Sequence, residues 1–144
     1  MAQSTVCADT GNQATITFAS GITDPLKVRM IDQPEQSLGE LDCSDLSTTG
    51  QRSVIPEDLT DPLELDIEWL WDTFQTPPTL GLSLGLVTLT YPLRTGEETP
   101  ATRTGTGYVS AVKHPRLANN ELQLGTAKIK FDGGATADTY TEST

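Results

Sequence analysis

A single-domain all-β fold, sandwich or barrel, with at most one short helix, is what this sequence predicts. Three observations lead there. Six or seven short runs of alternating apolar and polar residues recur at fairly regular spacing. The composition holds 23 Thr, 12 Gly and 9 Pro, which suits strands and turns rather than helices. No long stretch repeats at helical period, so a helical bundle or coiled coil is excluded. At 144 residues the chain is long enough for one core and short for two.

Residues 1–13 are polar and aperiodic, and read as an N-terminal arm. The β domain is expected over 14–134. Its first strand is 14–19, with Ile16 and Phe18 on one face. After a turn at 21–25, residues 26–31 alternate again, with Leu26, Val28 and Met30 against Lys27, Arg29 and Ile31. Residues 32–56 are poor in apolar side chains and read as a long irregular loop, which in a compact domain marks a contact element.

The clearest period-two pattern is 63–72. It places Leu63, Leu65, Ile67, Trp69 and Trp71 on one face, and Glu64, Asp66, Glu68 and Asp72 on the other. A Pro/Thr/Gly stretch over 76–85 precedes a strand at 86–93, which Pro92 ends or places at a sheet edge. Residues 94–103 form a polar loop. A strand follows at 104–114, where Gly105 and Gly107 mark a bulge or a close backbone approach. The connector 117–124 has room for one helical turn. The last strand is 126–131, with Ala127, Ile129 and Phe131 inward, and Asp132-Gly133-Gly134 turns into a polar tail over 135–144.

The net charge of −11 argues against direct nucleic-acid binding, which needs a basic patch. No apolar run is long enough to span a bilayer, and residues 1–11 lack the features of a signal peptide. Cys7 and Cys43 are accordingly expected to be reduced. No catalytic constellation emerges. His114 is the single histidine and has no partner pattern, so it reads as an exposed loop residue. Asp42-Cys43-Ser44-Asp45 lacks the rest of a calcium loop. No metal and no cofactor is expected. Trp69 and Trp71 have a reading as a sugar-stacking platform, but they share a face with aliphatic residues and are expected to be buried.

Three stretches carry a family resemblance. Residues 41–72 run from an acidic Ser/Thr element through a loop and a proline-marked turn into the acidic alternating strand. Residues 77–93 hold a Pro-Pro-x-x-Gly segment that leads into a Thr-rich strand. Residues 105–133 hold a Gly-aromatic-Val-Ser strand, a connector and a final strand ending in Gly. In this order they resemble the tail tube proteins of long-tailed bacteriophages, of the siphophage type. The resemblance implies a structural virion protein, assembled in the host cytoplasm, whose hexameric rings stack into a hollow tube. Its implied partners are copies of itself, a tape-measure protein, a tail terminator and baseplate or distal tail proteins, and DNA passes through without specific binding.

On that reading Glu64, Asp66 and Glu68 are expected to contribute to an acidic lumen that repels DNA rather than gripping it, the outer wall of the tube being the competing placement. The inter-ring contacts are expected from the long loop, at Gln36, Ser37, Leu38, Gly39, Thr48, Thr49, Gly50 and Gln51, together with the arm 1–13 and the tail 135–144. Two other classes fit less well. One is a carbohydrate-binding or adhesive module built on the two tryptophans. The other is a capsid decoration or tail-completion protein that never polymerises.

Overall fold

The computed structural model describes residues 13–22, 26–47, 49–57, 62–94, 96–132 and 139–144. It is all-β. Its strands are β1 (Thr15–Phe18), β2 (Lys27–Asp32), β3 (Glu40–Asp42), β4 (Val54–Pro56), β5 (Glu64–Leu70), β6 (Ser83–Thr90), β7 (Thr102–Lys113), β8 (Leu124–Phe131) and β9 (Thr139–Thr141). One antiparallel sheet runs in the order β1-β6-β7-β8-β5-β2, and β3 and β4 form a separate hairpin. β9 pairs with Thr102–Thr104 of β7, next to the stretch that β8 covers from Gly107 onward.

The sheet rolls on itself. Ile16 and Phe18 from one edge pack against the same buried cluster as Val28 and Ile31 from the other edge. That cluster is Leu63, Leu65, Ile67, Trp69, Leu84, Val87, Val109, Ala127, Ile129 and Phe131. Beyond β2, Gln33 Nε2 donates to the Tyr91 hydroxyl oxygen at 2.9 Å, and the Arg103 guanidinium donates to Gln33 Oε1 at 3.1 Å. In a flat sheet β2 and β7 would stand three strand spacings apart, roughly 14 Å. The roll is therefore closed at one end by side chains rather than by a backbone ladder. Register shifts in β2, β6 and β7 supply the extra twist that bending needs.

β5 is the central prop. Its alternation is followed side chain by side chain: Leu63, Leu65, Ile67 and Trp69 are buried, and Glu64, Asp66 and Glu68 face outward. Glycines make room for the aromatic members of the core. A Cβ on Gly105 would lie 2.6 Å from the Phe131 ring, and one on Gly125 would lie 2.7 Å from Trp71 and 2.8 Å from Trp69. The rings lie flat on bare backbone in both places. Gly125→Ala is expected to cost about 1–3 kcal/mol through overpacking, despite the better intrinsic strand preference of Ala. Urea denaturation of the unassembled chain reads this directly.

Several expectations change. The stretch 32–56 is not irregular throughout, because β2 extends to Asp32 and the β3–β4 hairpin occupies 40–56; only 33–39 between them stays irregular. The tail 135–144 contains β9, so part of it belongs to the sheet. β6 starts at Ser83 rather than 86, because Gly85 at φ +61° forms a bulge that shifts the alternation. β7 starts at Thr102, two residues earlier than the pattern implied. Met30, placed with Leu26 and Val28, faces outward because of the bulge after Val28, and Ile31 turns inward. The connector 117–124 has a turn at 119–120 and no helix. The arm, apart from Gln13, lies outside the described residues.

Candidate functional site: the sheet faces and the two ends

The outward face of the sheet divides by chemistry. On one half, directly paired threonines form two rows across four strands. Thr15, Thr90, Thr102 and Thr141 make one row, and Thr17, Thr88, Thr104 and Thr139 the other. Four Thr-x-Thr repeats produce this grid, since residues two apart share a face. It presents hydroxyl and methyl groups and no charge. Sequence reading missed it; the recurring Thr-x-Thr was its signal.

The other half carries the charge. Glu64, Asp66 and Glu68 do share one face, as expected, but they do not form an unbroken acidic strip. Across the β5–β8 ladder they oppose Lys130, Lys128 and Thr126. Glu64 pairs with both lysines, at 3.8 Å to Lys128 and 3.9 Å to Lys130. These half-exposed pairs each add little to stability. On the β2 side Asp66 stands opposite Asp32, so the face stays acidic away from Glu64.

The ends of the roll differ as well. The antiparallel register brings the start of β2, the end of β5, the start of β8 and the end of β7 together at one end. There an open groove of about 580 Å³ is lined by Lys27, Leu70, Trp71, Phe74 and Leu122 among others. Trp71 is half-buried between Trp69, 6.1 Å away between centroids, and His114, at 5.0 Å. Trp69 is only 2% exposed, so the two tryptophans do not form an open sugar platform. His114 is exposed and rests against Trp71. Phe74 is 97% exposed and Leu122 62% exposed.

At the opposite end, β2 leads into the hairpin. Gln36 accepts a hydrogen bond from Arg103 Nη2 at 3.0 Å, so this expected inter-ring residue anchors the hairpin's base to its own sheet. Ser37 lines a cleft with Pro34, Pro62 and Lys130. Leu38 and Gly39 precede β3, Thr49, Gly50 and Gln51 lie in the hairpin's connecting loop, and Thr48 falls outside the described residues. The Glu57 N–H donates to the Gly39 carbonyl, which closes the hairpin base. Leu41 faces Ile55 across the hairpin, and both are about half exposed.

The acidic element at 42–45 shapes the hairpin's loop. Asp42 Oδ1 accepts the Ser44 N–H and Asp45 Oδ1 accepts the Ser47 N–H, both at 2.9 Å. These are Asx turns rather than parts of a calcium loop. The Ser44 N–H, and then its hydroxyl, hold the Asp42 carboxyl below its usual range. Cys43 is a free, exposed thiol whose Sγ donates to the Ser53 carbonyl at 3.3 Å, and Cys7 lies outside the described residues. Among the described residues no cluster of His, Cys, Asp and Glu is suited to hold a metal ion.

No protein-family model and no curated protein matches the sequence. Solved structures do match in shape. A chain in the sheath/tube terminator of the extracellular contractile injection system PVC, in its extended state, superposes with TM-score 0.68 at 8% identity, over 96% of this chain and 99% of that one. A chain in the tube-terminating cap of the anti-feeding prophage gives 0.66 at 8% identity, over 99% and 96%. A chain in the PVC sheath-tube complex gives 0.60 at 8% identity, over 90% and 88%. At this identity the likeness is one of fold: the chain shares, almost end to end, the fold of components of these injection-system assemblies.

Proposed function

We propose that this chain is a ring-forming structural subunit of a phage-like tail tube. One observation carries the reading. The fold recurs, spanned nearly end to end, in three structures from two injection systems, and the part their descriptions share is a tube. The chain's own physics supports it. Among the described residues nothing further pairs with the outer edges of β1 and β2, and such edges invite pairing with a neighbouring copy. Among the described residues the hairpin's strands pair only with each other, and the hairpin carries exposed apolar side chains, as an element completed by assembly would. Its partners on this reading are copies of itself in a ring and in stacked rings, with a tape-measure protein and tail-end proteins beyond them.

A second reading, a ring that terminates a tube, is favoured by the higher scores against the PVC terminator and the anti-feeding prophage cap, 0.68 and 0.66 against 0.60. Electron microscopy of the purified chain over a concentration series, with light scattering on the same samples, tests both. Stacked hollow tubes of indefinite length are expected for a tube subunit, and single rings of fixed size for a terminator. A monomer at every concentration, unchanged by added tubes from the same particle, overturns both. The hexameric count and the acidic lumen are read from the same reconstruction. On this proposal Asp66 and Glu68, with Glu64 partly offset by its lysines, face the channel.

A further inference from the structure

A small apolar cavity lies beside residues that link β1 to β2. We propose that it is a socket for one aromatic ring, and that the Phe74 ring of a neighbouring copy fills it. This rests on the ring-forming reading, common to a tube subunit and a terminator, and adds the knob and socket by which one copy holds the next. The cavity measures about 130 Å³, and its walls include Ile22, Leu26, Pro77, Pro78 and Leu82. An apolar cavity of about 150 Å³ takes one benzene ring. The volume therefore fits a phenyl group and is small for an indole. None of the lining residues carries a charge.

The socket is rigid before anything enters it. Pro77 and Pro78 fix their own backbone angles. The Leu82 N–H donates to the Thr79 carbonyl at 3.2 Å, and the Gly81 N–H donates to the Val109 carbonyl at 2.9 Å. The Val109 N–H returns a bond to the Leu82 carbonyl at 3.0 Å, which ties 79–82 to β7. The knob is held too. Asp72 Oδ1 accepts the Phe74 N–H at 2.9 Å, and the Asp72 carbonyl accepts the Gln75 N–H at 3.1 Å. Rigid partners lose little freedom on contact. Among the described Phe, Tyr and Trp rings, Phe74 has the most to gain from cover: it is 97% exposed, against 56% for Tyr140 and 36% for Tyr108.

Position favours a second copy over the ring's own chain. Leu26 and residues from 75–79 line the cavity, whereas Lys27 and residues 72–74 line the groove beside Trp71. The start of β2 and the 72–79 segment thus form a wall, with Phe74 on one side and the socket on the other. A knob and a socket so placed make a head-to-tail contact, which forms a ring where its rotation closes. Charge favours the same contact. On a chain of net charge −11 most surfaces of two copies repel, and here an uncharged ring meets an uncharged socket. The socket also adjoins β1 and β2, whose outer edges pair with nothing further among the described residues.

A photoreactive knob tests the occupant. 4-Azidophenylalanine in place of Phe74 keeps the ring. Irradiation of the assembled protein is expected to give a product of doubled mass, with position 74 joined to Ile22, Leu26 or residues 75–82 of another copy by mass spectrometry. Attachment anywhere else overturns the inference. Phe74→Ala should weaken association about 30-fold or more, and Phe74→Trp about tenfold, because the indole overfills the socket. A tryptophan that serves as well as phenylalanine would mean general stickiness and also overturns it. Thr79→Trp, at an exposed position on the rim, should block the socket from its own side. Circular dichroism checks the fold of each variant. Mixed together, Phe74→Ala and Thr79→Trp should form pairs that do not close into rings, since each supplies one intact half.

Normal rings from Phe74→Ala, or no pairs from the mixture of two folded variants, overturn the inference and leave the ring reading standing. A wild-type chain that forms neither rings nor tubes removes the ring reading and this inference together.

Discussion

Trp69→Ala is expected to cost about 3–5 kcal/mol, the largest loss from any single truncation in this core. A domain of this size has about 5–15 kcal/mol of stability in total, so the variant should be close to unfolding at 37 °C. The reason lies in where the indole sits. Trp69 is 2% exposed, lies near the end of β5 between β8 and β2, and packs its ring against the bare backbone of Gly125 across the β5–β8 ladder. It also supports Trp71 at 6.1 Å, and so the floor of the end groove. Its removal opens a cavity that neighbouring strands cannot close without breaking register.

The same geometry predicts a coupling. Gly125→Ala is destabilising when Trp69 is present, because the added methyl meets the ring. In the Trp69→Ala background that methyl enters vacated space on one side, and Trp71 remains on the other. The second substitution should then cost markedly less, with an interaction free energy of about 1 kcal/mol or more. Urea denaturation of the four chains of this cycle, followed by circular dichroism, measures it. Simple additivity would show that the two groups do not press on one another.

β5 could be read from the sequence side chain by side chain because one of its faces is buried and the other is wet, which is the condition under which period two becomes visible. The same holds for β8, where Ala127, Ile129 and Phe131 are inward. β6 was legible only in its second half. The bulge at Gly85 puts Leu84 and Val87 both inward, and a simple alternation cannot span that step. β3, β4 and β9 are three residues each and exposed on both faces. Such strands exist because of what they pair with, and three positions are too few to show a period. For the candidate site, Glu64, Asp66 and Glu68 were correctly placed on one face. The lysines opposite them belong to a strand sixty residues away, and only the sheet order β8-β5-β2 brings them there. The groove end was illegible for a similar reason: Trp71 and Phe74 follow β5 while Leu122 precedes β8, and the β5–β8 register brings the two connections together.

Replacing residues 40–56 by Asn-Gly is expected to leave a folded, ring-competent chain that does not stack. Stability should be nearly unchanged and the loss of column growth complete. Gly39 and Glu57 already face each other through the Glu57 N–H to Gly39 carbonyl bond of 2.9 Å, so a two-residue turn between them is geometrically suited. The join lies beyond the residues that tie the end of β2 to the roll. Gln33 keeps its bonds to Tyr91 and Arg103, and Gln36 keeps its bond to Arg103. A deletion that began at Gln36 would remove part of that tie and confuse loss of stacking with loss of closure. Because β3 and β4 pair only with each other among the described residues, their excision takes no described ladder from the main sheet. The shorter connection also lowers the entropy cost of joining β2 to β5. Thermal unfolding should therefore shift little, while light scattering shows rings and no columns. If the shortened chain still formed tubes, stacking would have to be assigned to other surfaces, with the terminal segments the next to test. If instead it lost its rings, the hairpin would be acting within a ring rather than between rings.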